Sequence, residues 1–281
     1  MISYKKLFAL FALALALILL WDNPLMSPFR IFVVYLHEIS HALGAIVTGG
    51  AVKKLVVNLN ESGYTTTVGG SFFITAISGY IGSIVFGGMM LLSSLGNHFT
   101  RLSAIFVGCL LLLFTILFPS GNNLFILLLG ICWGLAFLIV GFLDGRIAKM
   151  TLFFMGGLAS LYGFYDLGDF FRGNIELTDA GILAKHYVGD SFLQGVVAYA
   201  IAIGIASISI FVLLKVVKMA LMNEKEVEPE EVSSDNFPFV PTDKPLSEMT
   251  AEEFILLMRA EKMNREHQAH SFPVEDRYPE K

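Results

Sequence analysis

Long apolar segments constrain this chain more than any other feature of its sequence. A helix needs about 20 mostly apolar residues to cross about 30 Å of hydrocarbon. The segments that qualify as candidates are Leu7–Trp21, Pro28–Thr48, Phe72–Leu95, Leu102–Phe118, Leu124–Leu143, Thr151–Phe164 and Phe192–Val217. Only 15% of the residues are charged, against about 25% in soluble chains. The sequence therefore predicts an all-α, polytopic membrane protein, a helical bundle of six or seven transmembrane spans.

The positive charges before the first apolar segment and at the end of the last do not agree with seven spans, so the number of spans stays open. Lys5 precedes the first segment and Lys215 lies at the end of the last, and both favour the cytoplasmic side. Seven spans would place them on opposite sides, so either Thr151–Phe164 is re-entrant or Leu7–Trp21 is a cleaved signal peptide. We expect Leu7–Trp21 to be a retained helix, because no small-residue cleavage site follows it clearly. We expect an integral, multi-pass protein, in the plasma membrane if the source is bacterial.

The charge of the chain is concentrated in its C-terminal part. Residues 1–222 hold 12 Lys and Arg against 9 Asp and Glu, whereas residues 223–281 hold 7 against 15. The tail is therefore acidic, and nothing in the composition predicts nucleic-acid binding. We expect a membrane domain over 1–222 and a mostly disordered tail over 223–281. A capping box at Thr250–Glu253 predicts one short amphipathic helix near 250–267.

A small β-hairpin is predicted between the second and third apolar segments. Val52–Leu59 alternates and is rich in β-branched residues, and Tyr64–Val68 is rich in Tyr, Thr and Val. Asn60–Gly63 between them has the composition of a turn. Two such runs joined by a short turn are typical of an antiparallel hairpin.

The second apolar segment carries the residues with the clearest chemistry. His37 and His41 are four residues apart, so on a helix they lie on one face, a turn apart. Two imidazoles at this spacing can ligate one Zn²⁺, and the adjacent Glu38 can act as general base on the zinc-bound water. Charged groups at the centre of a membrane cost at least about 2.5 kcal/mol each and are usually functional. The alternative is a polar hydrogen-bond cluster between helices.

A third protein ligand is needed to hold zinc, and three downstream aspartates are available. Asp144 ends the fifth segment, Asp166 lies at the end of the sixth, and Asp179 follows Thr178. Asp144 could be an interfacial charge, and Asp179 could simply begin a helix capped by Thr178. Spacing does not choose among the three.

The chain resembles the site-2-protease-type intramembrane metallopeptidases, and within them a divergent, B-like branch found in bacteria and plants. The matching pieces are His37–Ala42 followed by Thr48–Gly50, the β-rich loop to Val68–Gly70, Ser78–Ser83, and Tyr165–Ala184. Together they cover roughly residues 28–190, and the acidic tail has no counterpart. That branch typically has Ser-Asp-Ala where this chain has Thr178-Asp179-Ala180, a mild departure.

The resemblance implies a zinc metalloendopeptidase with Glu38 as the catalytic residue. His37, His41 and one late aspartate would bind Zn²⁺, with Asp179 as first choice, Asp166 as second and Asp144 as third. The enzyme would hydrolyse peptide bonds of membrane-protein substrates within the lipid bilayer, as in regulated intramembrane proteolysis. The sequence predicts neither the substrate nor the oligomeric state.

Under this resemblance the predicted hairpin has two possible roles. Its exposed strand edge could hold an unwound substrate by main-chain hydrogen bonds, or the hairpin could be a structural plug over the site. Two other functions remain open for the chain: a non-catalytic chaperone or scaffold derived from such a protease, and a metal transporter. The intact Glu38 argues against the first, and no second ionisable cluster among the spans supports the second.

Overall fold

The computed structural model of the chain describes residues 4–95, 99–119, 123–143, 145–167, 178–189, 192–222 and 250. Residues 4, 163–167, 192 and 220–222 are described by their backbone alone. All described elements belong to one compact unit, Met1–Lys225. Except for residue 250, the predicted tail and its amphipathic helix lie outside the described residues, so both stay predictions.

The described part is mostly helical, with one two-stranded antiparallel sheet, which confirms the predicted fold class. The helices are α1 (Tyr4–Leu20), α2 (Ser27–Val47), α3 (Phe72–Leu95), α4 (Thr100–Leu117), α5 (Leu124–Phe142), α6 (Gly145–Leu167), α7 (Asp179–Val188) and α8 (Phe192–Met222). A short 3₁₀ turn, Pro24–Met26, precedes α2. The strands are β1 (Ala51–Val57) and β2 (Gly63–Val68).

Five of the described helices are long and apolar enough to cross a membrane. The candidate spans are Pro24–Val47, Phe72–Leu95, Thr100–Leu117, Leu124–Phe142 and Leu193–Met219. The chain is therefore an integral, multi-pass membrane protein. The predicted count of six or seven also included the segments that form α1 and α6, which are not among these five.

Helix α1 is shorter than the five candidate spans, and helix α6 is more polar in its first turns. Helix α1 has 17 residues, which is about 26 Å of helix and slightly less than the hydrocarbon thickness. Helix α6 has 23 residues and begins well before the predicted segment Thr151–Phe164. Its first turns contain Arg146 and Lys149. These residues have a high helix propensity but interrupt the apolar pattern from which the span was predicted.

Helix α2 is the central element of the bundle. It packs against α3, α6, both strands, α4 and α5, and almost every residue from Ile31 to Ala45 is buried. Pro28 in its first turn suits a helix start, where its missing N–H would be unpaired anyway. The helix ends where Gly49 takes a φ of 84°, a conformation that glycine adopts without strain. The ionisable residues of α2 are thus enclosed by protein rather than by lipid.

Strands β1 and β2 form the predicted hairpin beside α2. Val57 pairs with Gly63 and Ala51 with Val68, with an irregularity in the register between Val52 and Lys54. Both strands pack against α2. Strand β1 therefore ends two residues before the predicted strand Val52–Leu59 does, because residues 58–62 form the turn.

Helices α7 and α8 pack together through small side chains. Ala180 and Ala184 on α7 meet Ala198 and Ala202 on α8, and all four are buried. Both helices also pack against α3, which packs against α2 as well. Helix α3 therefore holds the start of α7 near the centre of α2.

Candidate metal centre

His37 and His41 project from the same face of α2, as their spacing predicts. Their ring centroids are 4.7 Å apart with the planes nearly perpendicular, and their Nε2 atoms are 3.0 Å apart. The ring of His37 also contacts Tyr80 of α3 and Tyr162 of α6 edge to face. These aromatic contacts fix the orientation of His37 from two further helices.

Asp179 completes a compact group with the two histidines. Its Oδ2 lies 3.0 Å from Nε2 of His37 and 3.1 Å from Nε2 of His41. Asp179 is the first residue of α7, and Thr178 caps that helix by accepting a hydrogen bond from the backbone N–H of Gly181 at 3.1 Å. Thr178 is therefore the N-cap of α7, as the sequence analysis allowed. The carboxylate of Asp179 nevertheless faces the two histidines.

The contacts of the two Nδ1 atoms bear on which ring nitrogen carries the proton. Nδ1 of His41 lies 2.6 Å from the carbonyl oxygen of Thr75; because a carbonyl only accepts, this nitrogen carries the proton. The Ser83 hydroxyl donates to the carbonyl of Gly79 at 2.9 Å, and its oxygen lies 3.5 Å from Nδ1 of His37. The contact with Thr75 thus disposes His41 to keep Nε2 unprotonated, the state in which imidazole ligates a metal.

This donor set fits a zinc ion. Two imidazole nitrogens and one carboxylate oxygen are a known ligand set for catalytic zinc, which leaves one position open. Bonds of about 2.0–2.1 Å at tetrahedral angles place two ligand atoms about 3.3 Å apart, close to the 3.0–3.1 Å found here. The side chains of His37 and His41 are 8% and 7% exposed and that of Asp179 is 25% exposed, so the group is least enclosed at Asp179.

Small residues on α3 make room for the histidines. A Cβ on Gly79 would overlap the Nε2 atom of His41 and lie 2.6 Å from that of His37. A Cβ on Gly82 would overlap the side chain of Ser40. Gly79 and Gly82 therefore permit close packing of α3 on α2 at the level of the site, where a larger residue would displace the side chains of His41 and Ser40.

Glu38 points toward the hairpin. Its carboxylate Oε2 accepts a hydrogen bond from the hydroxyl of Thr65 at 2.7 Å, and a Cβ on Gly63 would overlap Oε1. The residue is only 4% exposed. The proposed general base is therefore covered by β2, and the contacts of Thr65 and Gly63 with it were not anticipated because neither residue carries a recognisable motif.

Of the three candidate aspartates, the structure describes the side chain of Asp179 alone. Asp179 meets the histidines directly. Asp166 lies in the last turn of α6, where the backbone alone is described, and Asp144 lies outside the described residues. Among the described residues, the group that could hold a metal ion is His37, His41 and Asp179. Its ligand atoms all lie within 4.8 Å of one another.

Comparison with known proteins places this geometry in a family context. A family model described as Peptidase M50B-like matches residues 10–209, a range that contains α2, the hairpin and Asp179. No curated protein and no solved structure matches the chain at a significant level.

Proposed function

The chain belongs to the Peptidase M50B-like family, and on that premise we propose that it is a zinc-dependent intramembrane protease. Members of this family are membrane metallopeptidases, in agreement with the resemblance to the site-2-protease type. The observation that carries the proposal is the convergence of His37, His41 and Asp179 at 3.0–3.1 Å within a bundle of candidate membrane spans.

In this proposal His37, His41 and Asp179 hold Zn²⁺ and Glu38 acts as general base. Bound zinc supplies Lewis-acid activation of a water molecule and of the scissile carbonyl. The Glu38 carboxylate accepts a proton from the attacking water and passes it to the nitrogen of the departing amine, so that one peptide bond is exchanged for a carboxyl and an amino group. A positioned carboxylate of this kind contributes about 10²–10⁴-fold to the rate.

We propose a membrane-embedded protein as the substrate. Two features support this: both histidines lie on α2, which is part of the candidate span Pro24–Val47, and the ring of His37 contacts Tyr80 on a second candidate span, α3. The hairpin next to Glu38 could hold an unwound substrate strand or simply cover the site, and both roles remain predictions. The lipid bilayer is the second expected partner.

Metal analysis of the detergent-purified protein, loaded with zinc, is the first test of the proposal. We expect about one zinc per chain in the wild type, loss of zinc in His37→Ala, and retention of zinc in Glu38→Gln. His186→Ala is the matched control, because His186 lies on α7 but is exposed and packs on Phe72 rather than in the site. Absence of zinc from metal-replete wild type would overturn the proposal.

Proteolysis is the second test. We would use fluorescein-labelled casein and reconstituted single-span peptides as probes, and compare wild type with Glu38→Gln. Cleavage lost about 10²–10⁴-fold in Glu38→Gln, with zinc retained, supports Glu38 as the base. No cleavage by either protein, with the probe still bound, would favour a non-catalytic client-binding protein, and zinc flux in liposomes would favour a transporter.

A further inference from the structure

We propose that Thr65 is a positioning residue, which holds the carboxylate of Glu38 in the orientation that general-base catalysis requires. The proposal rests on the proposed function, because it assigns a partner to the general base of that reaction. It gives the hairpin a third role, distinct from holding a substrate strand and from covering the site: β2 orients the base.

Thr65 contacts Glu38 at two points. Its hydroxyl oxygen lies 2.7 Å from the carboxylate Oε2 and 3.0 Å from the backbone carbonyl oxygen of the same residue. A hydroxyl has a single proton to donate, and both acceptors within its reach belong to Glu38. Thr65 therefore locates the Glu38 side chain relative to the Glu38 main chain, which a contact to the carboxylate alone would not do.

The carboxylate needs such a partner because of its surroundings. Glu38 is 4% exposed, and a buried carboxylate without hydrogen bonds is strongly disfavoured. A glutamate side chain also has three rotatable torsions, and fixing them costs conformational entropy. With Oε2 bonded to Thr65, Oε1 lies against Gly63, where a Cβ would overlap it. Because Thr65 engages Oε2, the proposal assigns proton acceptance to Oε1.

The position of Thr65 is set by both ends of the hairpin. At the turn, Glu61 pairs with Arg30 of α2 at 2.5 and 2.7 Å. At the other end, the hydroxyl of Thr48 accepts a hydrogen bond from the backbone N–H of Ser71 at 2.9 Å. Because strand residues alternate between faces, Thr65 is half-buried against α2 while its neighbour Thr66 is exposed.

This alternation supplies a matched set of variants. Thr65→Val removes the hydroxyl and keeps the branched shape, Thr65→Ala removes it with a smaller side chain, and Thr65→Ser restores it. Thr66→Val makes the same chemical change one residue along the same strand, on the exposed face. All four would be compared in the full-length protein.

Infrared difference spectroscopy tests the contact without any substrate. The spectrum of wild type minus Glu38→Gln isolates the carboxylate stretching bands of Glu38. We expect these bands to shift in Thr65→Val and in Thr65→Ala, and to keep their wild-type positions in Thr65→Ser and Thr66→Val. Bands that stay in place in both hydroxyl-deletion variants would overturn the proposal, whether or not a cleavable probe is found.

Kinetics on the casein probe tests the consequence for catalysis. We expect kcat to fall about 10- to 100-fold in Thr65→Val, with KM changed less than about twofold and zinc content unchanged, since small misplacements of a catalytic group cost rates of this order. Thr65→Ser should recover most of kcat, and Thr66→Val should match wild type. In a Glu38→Gln background, Thr65→Val should have no further effect, because the two residues act as one unit.

The outcomes separate this proposal from the proposed function. Full activity of Glu38→Gln would overturn the proposed function itself. Loss of activity in Glu38→Gln together with wild-type kcat in Thr65→Val would overturn only the positioning role of Thr65. A rise in KM with unchanged kcat in Thr65→Val would also overturn it, because that pattern indicates a contact with substrate instead.

Discussion

Arg30 and Glu61, 31 residues apart, form a two-point ion pair with Nε to Oε2 at 2.5 Å and Nη2 to Oε1 at 2.7 Å. The remaining guanidinium nitrogen, Nη1, donates to the backbone carbonyls of Trp21 and Asn23. One arginine at the start of α2 therefore joins the hairpin turn to the segment before α2. Glu61 has a φ of 66°, a left-handed conformation that is uncommon outside glycine, and the pair helps to hold it there.

Removing this ion pair should loosen the hairpin. A partly exposed pair contributes about 1 kcal/mol, so Glu61→Gln should raise amide hydrogen-exchange rates across residues 51–68 about fivefold. Lys53→Gln is the control, because Lys53 is an exposed charge on the same hairpin. Equal exchange in Glu61→Gln and wild type would show that the pair does not stabilise the hairpin.

The same pair should make hairpin stability depend on pH. Partial burial by itself would raise the pKa of Glu61, but hydrogen bonds from Arg30 and Ser27 and the charge of Arg30 hold the pKa below its ordinary value of 4.5. A lowered pKa means that the stabilisation is fully present above 4.5 and is lost as the pH falls through the folded-state value.

Hydrogen-exchange protection factors of the hairpin, corrected for intrinsic rates, measure this dependence. The difference between wild type and Glu61→Gln should be constant above pH 4.5 and shrink below it. A difference that grows as the pH falls would contradict the assignment of the effect to an ionised Glu61.

Substitution of the three candidate aspartates should affect zinc binding unequally. Asp179→Ala removes the carboxylate oxygen that lies 3.0 Å from His37 Nε2 and is the proposed third ligand, so we expect zinc to be lost. Asp166→Ala and Asp144→Ala serve as controls and should retain about one zinc per chain. Zinc lost in one of these controls and kept in Asp179→Ala would contradict the ligand assignment.

Gly79→Ala should disturb the metal centre directly. The added Cβ would overlap Nε2 of His41, and neither the helix backbone nor the histidine ring can yield easily in a packed bundle. We expect zinc affinity, measured by competition with a chelator, to fall at least about tenfold. Gly204→Ala on α8 is the control, because a Cβ there meets nothing within 4 Å. Equal affinities in the two variants would argue against the close approach of α3.

Loss of the cap at the start of α7 should weaken zinc binding without touching a ligand. Thr178→Ala removes the acceptor for the backbone N–H of Gly181, which costs about 1 kcal/mol of helix stability and loosens the turn that carries Asp179. Chelator competition should show a several-fold lower zinc affinity. Thr178→Ser should bind zinc like wild type, because serine caps equally well. Wild-type affinity in Thr178→Ala would mean that the cap does not position Asp179.

Local patterns predicted much of the fold. Apolar length predicted all five candidate membrane spans, because crossing depends on composition within a single segment, but it also included the segments that form α1 and α6. Alternation and a turn composition identified the hairpin for the same reason. The pairing of His37 with His41 follows from helix geometry alone. The limits of α6 were predicted wrongly because its polar first turns, with Arg146 and Lys149, form helix without forming an apolar run.

Tertiary packing decided what these patterns could not. Asp179 lies 142 residues from His37, and only the packing of α7 on α3 and α8 brings its carboxylate to the histidines. Spacing along the chain carries no information about that approach. The contact of Thr65 with Glu38 likewise depends on the register of β2 with β1 and on the packing of the hairpin against α2, to which the pair of Arg30 and Glu61 contributes. A one-residue change of register would turn Thr65 to the exposed face, and no local motif distinguishes the two arrangements.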